Sequence, residues 1–206
     1  MCQHAISLRI DFELHGLKAK VVLDTISLCL NNKTEYTAEV VKDALKIMLA
    51  EAVPPYAMMR TAILSGQSFG EVKKFVLSDV IPSLVRRSIW VDSPKLWDGV
   101  CVATKNFAVG GVNAEATIRA LLGIPAAQLR ALLRVAPNVK AVMAKVLKAL
   151  APEERDEVVS GRRVGVTATA METGEATSNT TTAADVAKSE ADKLRLVKDI
   201  MATPSV

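Results

Sequence analysis

Gly66-Gln67-Ser68-Phe69-Gly70 is the one stretch that fits a catalytic pattern, the Gly-x-Ser-x-Gly nucleophile elbow of hydrolases. Such an elbow holds its serine on a sharp turn between a strand and a helix, and it needs a histidine later in the chain. Here the residues before it keep helical spacing, and both histidines, His4 and His15, lie upstream. An interhelical turn is the expected reading, with hydrolysis through Ser68 as the alternative. General-base schemes lose their commonest group, and only Asp, Glu or Lys could substitute. Cys2, Cys29 and Cys101 are odd in number and widely spaced, with no Cys-x-x-Cys and no nearby histidine, which supports neither a disulfide framework nor a zinc site. No phosphate-binding glycine loop occurs, and Glu153-Glu154 reads as a solvent-facing pair at a helix start. The expectation is a chain that is not an enzyme and carries no catalytic residue, metal or cofactor.

What remains is binding chemistry. Trp90 and Trp97 flank the turn Val91-Asp92-Ser93, where they either lock two helices together or show an indole edge to a partner. Arg60 could bridge helix carbonyls or an acidic side chain between layers. From Ala116 to Ala151 the chain holds Arg119, Arg130, Arg134, Lys140, Lys145 and Lys148 and no acidic residue. That basic end could touch RNA phosphates or an acidic protein, but it lacks aromatic residues for base stacking. The candidate partner-binding residues are therefore Trp90, Trp97, Arg119, Arg130, Arg134 and Lys140.

These residues need helices to position them. Half of the 206 residues are apolar, only 4% are aromatic, and the apolar share comes from Ala, Val, Leu, Ile and Met, which suits helices better than sheets. Residues 17–30 carry apolar positions at three- and four-residue intervals before Asn31-Asn32. Thr37 is a good N-cap for a second helix reaching about Ala52, and Pro55 suits the first turn of a third. Helical spacing then runs from Glu71 to Trp90 through Pro82, which predicts a bend near Asp79. Ser93-Pro94 reads as cap and first helical residue of a fifth helix ending near Gly110-Gly111. Asn113, Pro125 and Pro137 open the last three.

Eight helices joined by short Gly, Pro, Ser or Asn connectors predict an all-α fold of stacked helical hairpins, a HEAT-like helical repeat or α-solenoid. The expected organisation is a flexible N-terminus over 1–16, a helical domain over 17–151 and a low-complexity, disordered tail over 152–206. Gly161 to Ala187 has no aromatic residue, Leu or Ile and cannot bury enough surface to offset its ordering entropy. Ala183 to Ile200 could form a transient amphipathic helix, with a frayed polar tail as the commoner outcome. Charged residues at the N-terminus exclude an apolar signal core, and no apolar run reaches membrane-spanning length.

Cys29-Leu30-Asn31-Asn32, Tyr36-Thr37-x-Glu39-Val40, Pro54-Pro55 with Met58-Met59-Arg60-Thr61-x-Ile63, Phe75-Val76 and Trp90 followed by Pro94-Lys95-Leu96-Trp97-x-Gly99 occur in order. Leu121-Leu122-x-Ile124-Pro125-x-x-Gln128-Leu129 and Pro137 follow. In order and spacing this series resembles the symplekin C-terminal domain, over roughly residues 17 to 150. The resemblance implies a helical-repeat scaffold of the nuclear machinery that cleaves and polyadenylates pre-mRNA. Its implied partners are protein subunits of that complex, including the metallo-β-lactamase-type endonuclease subunit and its inactive paralogue, with any zinc chemistry in the partner. Localisation in the nucleus follows from the same resemblance. Direct RNA binding through the basic end is the alternative function. Symplekins also have an N-terminal helical-repeat region, and functions of that region, such as docking a phosphatase, do not transfer to these residues.

Overall fold

The computed structural model describes residues 19–108, 114–160 and 183–203, and all secondary structure among them is helical. Helix α1 (Ala19–Asn31) buries Ile26 and Leu30. Thr37 caps α2 (Ala38–Ala50) as expected, its hydroxyl accepting the Val40 N–H at 3.4 Å. Val41, Ala44, Leu45 and Met48 form the buried stripe of α2. Pro55 stands just before α3 (Ala57–Ser68) rather than inside it, and its carbonyl accepts the Met58 N–H at 2.9 Å. α1 and α2 both pack on α3, which buries Met58, Met59, Ala62 and Ile63.

The bend expected near Asp79 is a π-helical turn. α4 (Gly70–Phe75) runs into a π turn over Val76–Val80 and on into α5 (Ile81–Arg86). Within the turn the Ile81 N–H reaches back five residues to the Val76 carbonyl. The next carbonyl in that register, Leu77, faces residue 82, a proline with no N–H. The buried Thr117 hydroxyl on α8 (Glu115–Leu122) donates to the Leu77 carbonyl instead. A proline inside a helix is thus accommodated by one extra residue in the turn and one hydroxyl from a neighbouring element.

Contrary to the pattern read through Trp90, the helix stops at Arg86, because Ser88 adopts a left-handed backbone with φ 53°. That kink separates α5 from the single turn α6 (Ile89–Asp92). α7 (Pro94–Phe107) follows, with Pro94 in its first turn as expected. Ser93 occupies the cap position, but its side chain makes no capping bond. Asn113 lies outside the described residues, and Ala114 precedes α8. α9 (Ala126–Val135) begins after Pro125 and α10 (Val139–Ala149) after Pro137-Asn138.

The contacts form two columns. α3, α7 and α9 pack in succession along one, while α5, α8 and α10 do so along the other. This is the stacked-hairpin, helical-repeat arrangement expected from the sequence, with a continuous apolar core running from Ile26 to Leu147. Close approach within the first column depends on glycine. A Cβ on Gly99 of α7 would lie 2.6 Å from the Met59 Cβ of α3. Met59 Cβ sits next to its own backbone and cannot swing away. Gly99→Ala should therefore destabilise the fold by about 1–2 kcal/mol through overpacking, read as a lower urea midpoint with an unchanged slope.

The stretch after Pro152 departs from the expected disordered tail where it is described. α11 (Pro152–Ser160) packs against α8, and α12 (Ala183–Met201) lies across α9, α10 and α11. Val197 and Ile200 of α12 are buried, and Leu196 and Met201 pack against the core. The physical reason is the stack itself: the last hairpin of a helical repeat has an apolar end face with no further repeat to cover it. A weakly amphipathic segment that would fray alone gains enough burial there to order. Residues 161–182 of the expected tail, and the N-terminal segment with His4, His15 and Cys2, lie outside the described residues.

Candidate interaction surface

The two tryptophans meet at the α6–α7 corner. Their rings pack edge to face, with centroids 5.4 Å apart and planes at 72°. Trp97 is only 6% exposed and belongs to the core, whereas Trp90 is half-buried and packs against it. Of the two, Trp90 alone has surface left for a partner.

The loop between α2 and α3 is pinned against this corner by two contacts with no local sequence signal. Arg87, not Arg60, bridges the helix carbonyls: its guanidinium donates to Leu49 O and Glu51 O, each at 2.8 Å, and to Ala52 O. These are end-of-helix acceptors of α2 and the loop after it, where a cation is favoured by the helix dipole as well. Arg60 is exposed on α3. At the other end of the loop, the Lys95 ammonium sits 5.5 Å from the Tyr56 ring centroid. Val53 and Tyr56 of the loop, 68% and 43% exposed, and Val91 of the corner, 70% exposed, are apolar side chains left in solvent. Sequence reading found the tryptophans but missed Val53, Tyr56 and Val91, because an isolated exposed valine has no pattern to mark it.

At the basic end the predicted residues are dispersed over three helices and partly paired. Arg119 on α8 pairs with Glu115 at 3.0 Å and lies 3.8 Å from Glu154 on α11. Arg130 on α9 pairs with Asp192 on α12 at 3.2 Å. Arg134 is exposed and Lys140 half-buried. Lys148 donates to the Thr203 carbonyl at 3.4 Å. Arg155 repeats the role of Arg87 at this end, its guanidinium donating to Leu147 O at 3.0 Å and Leu150 O at 3.2 Å as α10 terminates. A shallow depression of about 450 Å³ is lined by Arg130, Asp192, Arg195, Leu196, Lys198 and Asp199, with both signs of charge.

Ser68 occupies the last turn of α3 and donates to the Leu64 carbonyl of its own helix at 3.3 Å. The element before it is a helix, so the strand-turn-helix geometry of a nucleophile elbow is not formed. Among the described residues no cluster of His, Cys, Asp or Glu has metal-binding geometry, and no helix is long and apolar enough to cross a membrane.

Cys101 is buried in α7, and burial, with Asp98 nearby, pushes its thiol up to about 12. Because the folded chain holds this proton more tightly, the thiol's contribution to stability is complete below its unfolded value of 9.0 and fades as pH rises toward about 12. The stability difference between the wild-type chain and Cys101→Ala, measured by denaturation, should shrink across that window. At pH 8 iodoacetamide should label half-buried Cys29 at least about tenfold faster than Cys101, read by site-resolved mass spectrometry.

No solved structure matches the chain. The family model described as symplekin tight junction protein C terminal matches residues 6–136. That match spans the stack from α1 through α9, including the α6–α7 corner, and leaves α10, α11 and α12 beyond its end. With well over half of its length matched by that model, the chain belongs to the symplekin C-terminal family.

Proposed function

We propose that the protein is a non-catalytic scaffold subunit of pre-mRNA cleavage and polyadenylation in the nucleus, which holds the metallo-β-lactamase-type endonuclease subunit and its inactive paralogue. The observation that carries this reading is membership of the symplekin C-terminal family over the greater part of the helical stack. The α6–α7 corner, with Trp90 and exposed Val91, together with exposed Val53 and Tyr56 of the loop pinned to it, is the proposed docking surface. A half-buried indole flanked by exposed apolar side chains is the composition of an interface centre. Arg119, Arg130, Arg134 and Lys140 lie on the later helices and would contribute a basic rim that steers an acidic partner.

Affinity purification of the tagged chain from nuclear extract tests the assignment. The endonuclease subunit and its paralogue should be recovered with it, and a purification containing neither would overturn the reading. Val53→Glu with Val91→Glu tests the surface. Both side chains are mostly in solvent, so the fold should be retained while partner recovery falls at least about tenfold. Recovery unchanged by that pair would move the interface elsewhere.

A further inference from the structure

α12 stands apart from the rest of the stack. Like α10 and α11 it lies beyond the family match, which ends at residue 136, but it is joined to α11 by residues 161–182, a stretch with no aromatic residue, Leu or Ile. Over its described side chains, residues 190–201, it buries Val197, Ile200 and Lys193, whereas α7 buries seven residues, from Leu96 to Phe107. One of those three is a lysine, whose ammonium burial holds below the usual lysine range. Leu194 remains 53% exposed. Its polar ties to the stack include a partly exposed ion pair, Asp192 to Arg130, and the Lys148 bond to the Thr203 carbonyl. An exposed pair of that kind holds weakly.

The surface under α12 is of a different kind. It is built by α9, α10 and α11, and its α9 and α10 part lies inside the run from Ala116 to Ala151 that has no acidic residue. We propose that this end face is a helix-binding groove which α12 fills in cis, and that an amphipathic helix of a partner protein, with a carboxylate one turn before its apolar stripe, takes the place of α12. The pattern such a helix needs is written in α12 itself. Leu196, Val197, Ile200 and Met201 form an apolar stripe at three- and four-residue spacing, and the Asp192 carboxylate one turn earlier meets Arg130. The connecting residues 161–182 can span up to roughly 70 Å when extended, so α12 can leave the groove without disturbing α11. Tethering raises the local concentration of α12 into the millimolar range, which keeps the groove closed against weak competitors. The inference goes beyond the scaffold reading, since it holds whichever subunit the protein binds.

The test uses the full chain and a fluorescent peptide of residues 183–206 as the probe. In V197D/I200D the groove is vacated, and the peptide should bind in trans at least about 100-fold more tightly than it binds the wild-type chain. Hydrogen exchange along α10 should speed up in this variant and slow again when the peptide is added. D192R provides a second opening that leaves the apolar contacts in place. It should raise trans binding several-fold, and R130D/D192R should return it to the wild-type level. Equal peptide affinity for the wild type and V197D/I200D, or no binding by either opened variant, would overturn the proposal. A concentration-dependent wild-type dimer that loses α10 protection on dilution would overturn the cis arrangement, since a second copy would then supply α12.

Discussion

Trp97→Ala should cost about 3–5 kcal/mol of folding stability, the range for removing a large aromatic side chain from a packed core. Only 6% of Trp97 is exposed, and it sits in the first turn of α7, where that helix meets α6 and the edge of Trp90. Trp90→Ala should cost clearly less, because half-buried Trp90 leaves a smaller cavity. The double variant should lose less than the sum of the two by about 1 kcal/mol, the coupling expected of an edge-to-face pair. Denaturant titration of the four proteins closes this cycle. Equal losses at the two positions would contradict the division of labour between core anchor and corner surface. In the same proteins, partner recovery per folded molecule should depend on Trp90 more than on Trp97.

Thr117→Val should cost about 2–3 kcal/mol although it removes a single hydroxyl and conserves shape. The hydroxyl is the donor that reaches the Leu77 carbonyl, and Thr117 is fully buried, so no water can replace it without opening the core. The loss should depend on Pro82. In a Pro82→Ala background residue 82 gains an N–H that lies next in the π register and can serve Leu77. Thr117→Val should then cost no more than about 1 kcal/mol. If the cost is the same in both backgrounds, Thr117 contributes by packing alone.

These two expectations rest on different levels of organisation. The helices were readable from the chain because their signals are local. Three- and four-residue apolar spacing, the Thr37 cap, Pro94 at the start of α7 and Pro125 and Pro137 before α9 and α10 each act within a few residues. Pro82 likewise announced a local irregularity, and the π turn over Val76–Val80 is its physical form. The all-α, stacked-hairpin class followed from short connectors between such segments, and the tryptophans were legible as a pair because only six residues, a turn among them, separate them.

The parts that stayed hidden are those whose partners are distant in sequence. Arg87 and the Leu49 carbonyl are 38 residues apart, and Thr117 and Leu77 are 40 apart. No spacing rule links a donor to an orphaned carbonyl at such separations, so the sequence pointed to Arg60 and only packing assigned the role to Arg87. Left-handed Ser88, which cut the helix before Trp90, is likewise held by its surroundings, since serine does not favour that backbone by itself. The clearest case is α12. Alone, its sequence is that of a marginal helix, because nine polar residues outnumber the six apolar residues larger than alanine that could offset ordering. What determined its order was an uncovered end face on α9 and α10, which exists only once the earlier helices have stacked. The sequence by itself thus determined the helices of the stack up to α10, their proline-marked starts, the irregularity at Pro82 and the absence of a strand-borne elbow at Ser68. Only the tertiary structure decided which arginine serves which carbonyl, which tryptophan faces solvent and whether the last helix has a place to bind, because each of these depends on burial shared between segments far apart in the chain.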